Sequence, residues 1–514
     1  MAGKNDADID ERYSERPPRI VLPWSLRQQC LDEVRRSVLR WSRSQDDEAK
    51  MPMENNPFVD CPLHVRQDLL ESILNDESRS PALRRIAEML LVSGLQSFDL
   101  SCLDEFDKTE LQFILDVLQE HGSALRELTI AGLWMYSAES GEIVQRLLSS
   151  APNLRILRIQ DMYRADLETL ARGCPRLQRL EVMHHSINVE DIGAFIRIVR
   201  MENLAIGNSI MEVRLPASVD GEGVLALIEG LPNLQIVRCV YLEKVLDSLD
   251  SRAAGSSSQR AWWMQRLRRV HAIQSGIGMG WDSVERLVAW FPGVEEVVLH
   301  VQEGMNLREL AKLEKLRSLE LRNSPSFPSS YTDDVLPLLA LCGRRLLHLA
   351  LQHFDVVDLG RTHTMCPELE SLSVQWFILL GCSMPSSQRS GTAVRPFQNL
   401  RDLRLRPRVG RVVRRGACEL LLSHCYNLRR LEIFCGAGLN DSLAQSLCRR
   451  NGFAHLKTVR LPHGHGLSAD GLQCLLSRAS KLKIWSAGKL TKQPSLTDDE
   501  DDGQHEMQNP EANH

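Results

Sequence analysis

Leu346-Leu347-His348-Leu349-Ala350-Leu351 places leucine at the first, fourth and sixth positions of a six-residue block, L-x-x-L-x-L. The same frame returns as Leu154, Leu157, Ile159; as Leu177, Leu180, Val182; and as Leu316, Leu319, Leu321. It returns again as Leu369, Leu372, Val374; Leu400, Leu403, Leu405; Leu428, Leu431, Ile433; and Leu456, Val459, Leu461. Weaker copies stand at Leu95, Leu125, Ile210, Leu234, Leu267 and Val294, with a fragment at Leu482. That makes about fifteen units, spaced by roughly 22 to 33 residues. Alternation at the fourth and sixth positions is the two-residue period of a strand with one buried face. Between the blocks lie amphipathic segments at helical spacing: Gly141–Ser150, Gly221–Gly230, Trp281–Trp290, Asp441–Arg450 and Ala469–Ser477. A strand followed by a helix, repeated many times, predicts an α/β solenoid with a parallel sheet on its concave face.

This pattern resembles the leucine-rich repeats, and the units opening on Cys174-Pro175, Cys366-Pro367, Cys342 and Cys425 resemble the cysteine-containing and ribonuclease-inhibitor-like classes. One cysteine per repeat is expected to close a turn as a small buried residue, since metal or redox chemistry needs them clustered. Arg252–Gln259, rich in glycine and serine, and Gly381–Pro396, long and polar, read as surface loops between repeats.

At 514 residues the chain exceeds one ordinary core unless that core grows along one dimension. Charged residues make up 25% and aromatics only 5%, as expected of a globular protein whose interior is filled by leucine. A net charge of -5 offers no bulk attraction to nucleic acid or anionic lipid. Thirteen scattered cysteines fit a reducing compartment, and no signal-like or membrane-spanning apolar run is evident, so a cytosolic or nuclear location is expected. There is no phosphate-binding loop, zincin motif, nucleophile elbow or zinc-knuckle spacing. His463-Gly464-His465 reads as a solvent loop. No enzymatic activity and no cofactor or metal is expected.

The repeats leave the N-terminal part unexplained. Residues 1–18 are polar and read as disordered, residues 19–92 as a helical region, 93–488 as the repeat domain, and 489–514 as an acidic disordered tail containing Thr497-Asp498-Asp499-Glu500-Asp501-Asp502. Within the helical region, Ser25-Leu26-Arg27-Gln28-Gln29-Cys30-Leu31-Asp32-Glu33-Val34 sets Leu26, Cys30 and Val34 every fourth residue, and Val38 continues the row as one apolar stripe. Ser25 with Gln28 gives the helix a capping box. The segment resembles the BC-box, S-L-x-x-x-C-x-x-x-V, with which substrate receptors of cullin-RING ubiquitin ligases grip Elongin C. The resemblance implies Elongin B/C as partner, with the Leu26 side chain filling an apolar pocket and Cys30 small enough for close helix approach.

Downstream, Cys61-Pro62-Leu63-His64-Val65-Arg66-Gln67-Asp68-Leu69 resembles a cullin-2 box, with Pro62 starting a helix and Val65 and Leu69 sharing a face one turn apart. Val59-Asp60 and Asp68 depart from what a cullin-5 box requires. The resemblance therefore implies the substrate-recognition subunit of an Elongin BC–cullin-2 RING ligase, of the Zyg-11-like or a related kind. Zyg-11-like members add an armadillo domain that reads N-terminal glycine, and nothing after about Lys489 has that character, so that specificity is not expected. Both helices could also simply cap the open end of the first repeat. Two alternatives remain open. One is an F-box receptor built on Pro62–Ile73, using Skp1 and cullin-1; the other is an interaction scaffold with no link to ubiquitin.

In either case the working surface is the set of strand residues alternating with the buried ones. Its late units lean basic, so Arg404, Arg406, Arg430 and Arg460 are the candidate substrate contacts, suited to an acidic peptide or phosphopeptide, or equally to the chain's own acidic tail.

Overall fold

The computed structural model describes residues 95–478 with breaks, the largest being 382–395, 104–114 and 133–139, and with only 115–116 and 118–119 described between 104 and 121. It also describes the backbone of 484–487 and scattered positions before 95, among them 33–34, 36–37, 58, 61–62, 65–66, 69–70 and 90. Leu26, Cys30 and the expected disordered ends fall outside the described residues.

The first strands are β1 (Ser97–Asp99), β2 (Glu127–Ile130), β3 (Ile156–Ile159), β4 (Arg179–Val182), β5 (Glu212–Arg214) and β6 (Ile236–Cys239). They continue with β7 (Ala272–Ser275), β8 (Glu296–Val301), β9 (Ser318–Asn323) and β10 (His348–Gln352). The last are β11 (Val356–Asp358), β12 (Ser371–Phe377), β13 (Leu379–Gly381), β14 (Asp402–Pro407), β15 (Arg430–Ile433), β16 (Thr458–Leu461) and β17 (Ile484–Ala487). All except β11 and β13 line up in chain order as one 15-stranded sheet, and every pairing is parallel. This is an α/β leucine-rich-repeat solenoid. The register follows from the leucine frame: Leu319, Leu349, Leu372, Leu403, Leu431 and Val459 pair in succession, and all are buried. A slip of one residue would turn this row outward.

The convex side carries the expected helices, including Ser140–Ser150, Gly221–Gly230, Asp441–Arg450 and Ala469–Arg478. Asn188, Asp220 and Asn440 cap their helices by accepting backbone N–H bonds. The turn cysteines are buried, as expected. The Cys174 thiol donates to the Leu148 carbonyl of the preceding repeat at 3.3 Å, and burial pushes its pKa up to about 12. Asparagines tie the same turns together: Asn153 Nδ2 donates to Ser123 O at 2.7 Å and Asn233 Nδ2 to Asn208 O at 2.7 Å.

Two sequence expectations need correction. Leu267 does not lead a strand. It is buried at the end of the helix Ser257–Leu267, and Val270 takes the strand-leading position. Arg268 and Arg269 between them are exposed, so a three-residue shift keeps both charges in water. The Gly/Ser-rich stretch is also shorter as a loop than expected. The helix Leu242–Ala253 runs into it and the next helix begins at Ser257.

One repeat region departs from the frame. After β10 and β12 the chain adds β11 and β13, which pair only with each other among the described residues. The register of β12 against β14 shifts between Gln375 and Phe377, leaving Trp376 as the residue of a β-bulge.

Candidate binding surface on the sheet

The face of the sheet opposite the helices displays rows of side chains, one row per pleat. The central row runs Arg158, Glu181, Arg214, Arg238, Gln274, Val298, Glu320, Ala350, Ser373, Arg404, Glu432, Arg460 from β3 to β16. Neighbouring strands lie about 4.8 Å apart, so charges in adjacent units meet directly.

In the first half most of them cancel, with Arg214 on β5 left exposed and without a carboxylate partner among the described residues. Glu181 accepts from Arg158 at 3.0 Å and from Arg179. Arg179 reaches Glu212 at 3.5 Å; Arg238 bonds Glu212 at 3.0 Å and Glu296 at 3.3 Å. Three arginines and three glutamates thus form one ladder across β3 to β8. Burial opposes the Arg179 charge, yet the hydrogen bond to Glu181 and the nearby Glu212 hold its pKa above the ordinary value.

The structure sorts the four predicted arginines into two kinds. Arg404 is paired with Glu432 at 2.9 Å, and Arg430 stands 3.6 Å from Asp402. Arg406 and Arg460 are exposed, and among the described residues neither has a carboxylate partner. Arg406 lies instead over two aromatic rings. Its guanidinium carbon is 4.2 Å from the centroid of Trp376 in the preceding unit and 5.3 Å from that of Phe434 in the following one. Trp376 in turn stacks on His353, with centroids 5.8 Å apart and planes 3° from parallel. The stack therefore crosses four units, from His353 after β10 to Phe434 after β15.

The backbone places this stack. Trp376 has φ 60° and His353 φ 62°, both in the left-handed region, which costs a bulky residue about 1–3 kcal/mol. At these positions a regular strand would turn the side chain into the core. The bulge at Trp376 and the left-handed backbone at His353 leave that place to Phe377 and Phe354, both buried, and leave Trp376 and His353 half-buried. His353 has its pKa lowered, by burial first and then by the Arg408 charge. Arg408 is held by Asp355 at 3.0 Å.

Sequence reasoning missed Trp376, His353 and Phe434. The available signal was a broken alternation: Gln375-Trp376-Phe377 and Gln352-His353-Phe354 each follow a polar residue with two adjacent rings where a strand frame allows one inward position.

At the N-terminal end, Val34 is helical and 39% exposed, beside an ion pair between Glu33 and Arg36 at 3.0 Å. Pro62 is exposed, while Cys61 and Val65 are half-buried against the core. The Val65 and Arg66 amides both donate to the Pro62 carbonyl, the start of a helical turn. Leu69, expected to share a face with Val65 and to meet the cullin, is buried with Leu70 in the repeat core, the place that capping of the repeats would give it. Among the described residues of this segment, Leu69 and Leu70 join the core, Pro62 is exposed, and Cys61, Val65 and Arg66 are half-buried.

Among the described residues, no group of three or more acidic, histidine or cysteine side chains is placed to hold a metal ion, and no helix is long and apolar enough to cross a membrane. No protein-family model and no curated protein matches the sequence. Among solved structures, the chain is similar to one described as "Crystal structure of Rad7 and Elc1 complex in yeast", at 14% identity and a TM-score of 0.38, covering 90% of this chain and 98% of that one. It is also similar to "Crystal structure of TLR13-ssRNA13 complex", at 15% identity and a TM-score of 0.30, covering 77% of this chain and 57% of that one. The chain thus spans little more than half of that second protein.

Proposed function

We propose that this chain is the substrate-recognition subunit of an Elongin BC–cullin-2 ubiquitin ligase, working in the cytosol or nucleus and without catalytic activity of its own. The N-terminal helix would hold Elongin C through Leu26, Cys30 and Val34; Pro62 and Val65 would meet the cullin; the sheet face would hold the substrate. The observation that carries this reading is Val34. An apolar residue on the motif's four-residue stripe stands 39% exposed, outside the repeat core, where a helix serving only as a cap would turn its stripe inward. Burial of Leu69 supports a division of labour, since the second segment packs the repeat end while the first helix leaves an apolar position uncovered.

The test is co-purification with Elongin B and Elongin C, comparing wild type with a Leu26→Ala/Cys30→Ala variant. Stoichiometric capture by wild type and loss in a folded variant support the proposal. Failure of wild type to bind removes it, and capture by Skp1 in the same assay would move the chain to the F-box class.

A further inference from the structure

Which ligand the sheet face takes can be read from where its charges are left unmatched. The ladder from Arg158 to Glu296 is neutralised within itself, and Arg322 is bonded to Glu320, which also accepts from Gln352. A charged partner gains little at those pairs, because each contact would first have to displace an internal one, and Arg214 is the one arginine of that early row left without a carboxylate among the described residues. The late units differ in offering two such cations near one another, one of them bracketed by aromatic rings. Arg406 and Arg460 present cations that no carboxylate among the described residues answers, on strands separated by one intervening strand, hence on the order of 10 Å apart.

From this we propose that the rim around Arg406 is a docking site for an extended acidic segment of a partner protein, with one carboxylate taken by Arg406 and a second by Arg460. Trp376 and Phe434 flank the guanidinium from both neighbouring units, so it is oriented before any ligand arrives and loses little freedom on binding. With rings over the guanidinium, its in-plane N–H donors are the groups left to bond, and their fork matches a carboxylate. The same stack disfavours nucleic acid. Trp376 already has Arg406 over its ring and His353 stacked against it with centroids 5.8 Å apart, so a base would compete with both for the indole. The inference rests on the receptor proposal only in calling the acidic segment a substrate.

The experiment uses the purified full chain and a fluorescein-labelled dodecapeptide alternating glycine and glutamate, with its glutamine counterpart as control. Fluorescence anisotropy at about 50 mM salt keeps screening weak. Expected is saturable binding of the glutamate peptide only, weakened on the order of tenfold by Arg406→Ala and unchanged by Arg214→Ala, an exposed arginine on β5. Trp376→Gly, which suits a φ of 60°, should keep the fold and also weaken binding. Absence of binding, equal loss in Arg406→Ala and Arg214→Ala, or preference for an oligodeoxythymidylate of similar length would each overturn the proposal. Since no Elongin is present, its failure is distinct from failure of the ligase proposal.

Discussion

Replacing Glu181 by alanine removes the hub of the early charge ladder. The Glu181 side chain is 6% exposed and accepts from Arg158 and Arg179, whose side chains are 37% and 31% exposed. Breaking a fully buried ion pair costs about 3–5 kcal/mol because the surviving charge is stranded. Exposed pairs are worth about 0.2–1 kcal/mol. Glu181 is buried but both its arginines reach water, and Arg179 keeps Glu212 at 3.5 Å. The loss should therefore fall between these limits, at about 1–2 kcal/mol, with Glu181→Gln costing less because an acceptor remains. Equilibrium urea unfolding, followed by far-UV circular dichroism, measures it against Glu202→Ala. Glu202 is paired to Arg172 at 2.7 Å with both side chains well exposed. Glu181→Ala should lower the unfolding midpoint clearly more than Glu202→Ala. If the two variants shift the midpoint equally, the ladder is no more than a row of surface pairs. The self-neutralisation used to locate the docking site would then lose its basis.

Three further outcomes follow from buried groups. The Tyr331 hydroxyl is 2.7 Å from Thr362 Oγ1 and donates to Asp358 O at 3.2 Å, so Tyr331→Phe should cost about 1–2 kcal/mol; an unchanged melting temperature would contradict this. His300, His353 and His363 all have pKa values lowered from 6.5, with burial the first cause, and His363 Nδ1 accepts from the Phe397 amide at 3.2 Å. The unfolded chain therefore binds more protons just below pH 6.5, so stability is full above that pH and falls as pH drops toward the lowered folded values. His363→Asn, whose side-chain oxygen can take the same amide, should flatten part of that decline, and a melting temperature constant from pH 7.5 to 5.5 would refute it. Burial pushes the thiols of Cys174 and Cys239 up to about 12, so iodoacetamide at pH 8 should leave both unmodified in the folded chain and label them after unfolding, as read by peptide mass spectrometry.

The repeat frame made most of the fold legible before any coordinates. Leu349 and Leu351, or Leu403 and Leu405, share a face because a strand repeats every two residues, and that rule needs no tertiary information. Where the frame was weak it misplaced the unit, as at Leu267. A leucine ending a helix and one leading a strand are both buried, and only packing separates them. Leu69 shows the same limit. Four-residue spacing from Val65 predicts a shared helical face, but whether that face meets a partner or the chain's own core depends on what lies opposite.

The binding surface divides along the same line. That its charges lie on alternate strand positions follows from local geometry, and the sequence alone placed Arg404, Arg406, Arg430 and Arg460 there. Which of them is free could not follow, because each depends on side chains some thirty residues away. Glu432 answers Arg404, Asp402 faces Arg430, and Trp376 with Phe434 brackets Arg406. A period fixes which face a residue occupies. Only the stacking of successive repeats decides which charge sits beside it, and so where the surface is left with a cation to offer.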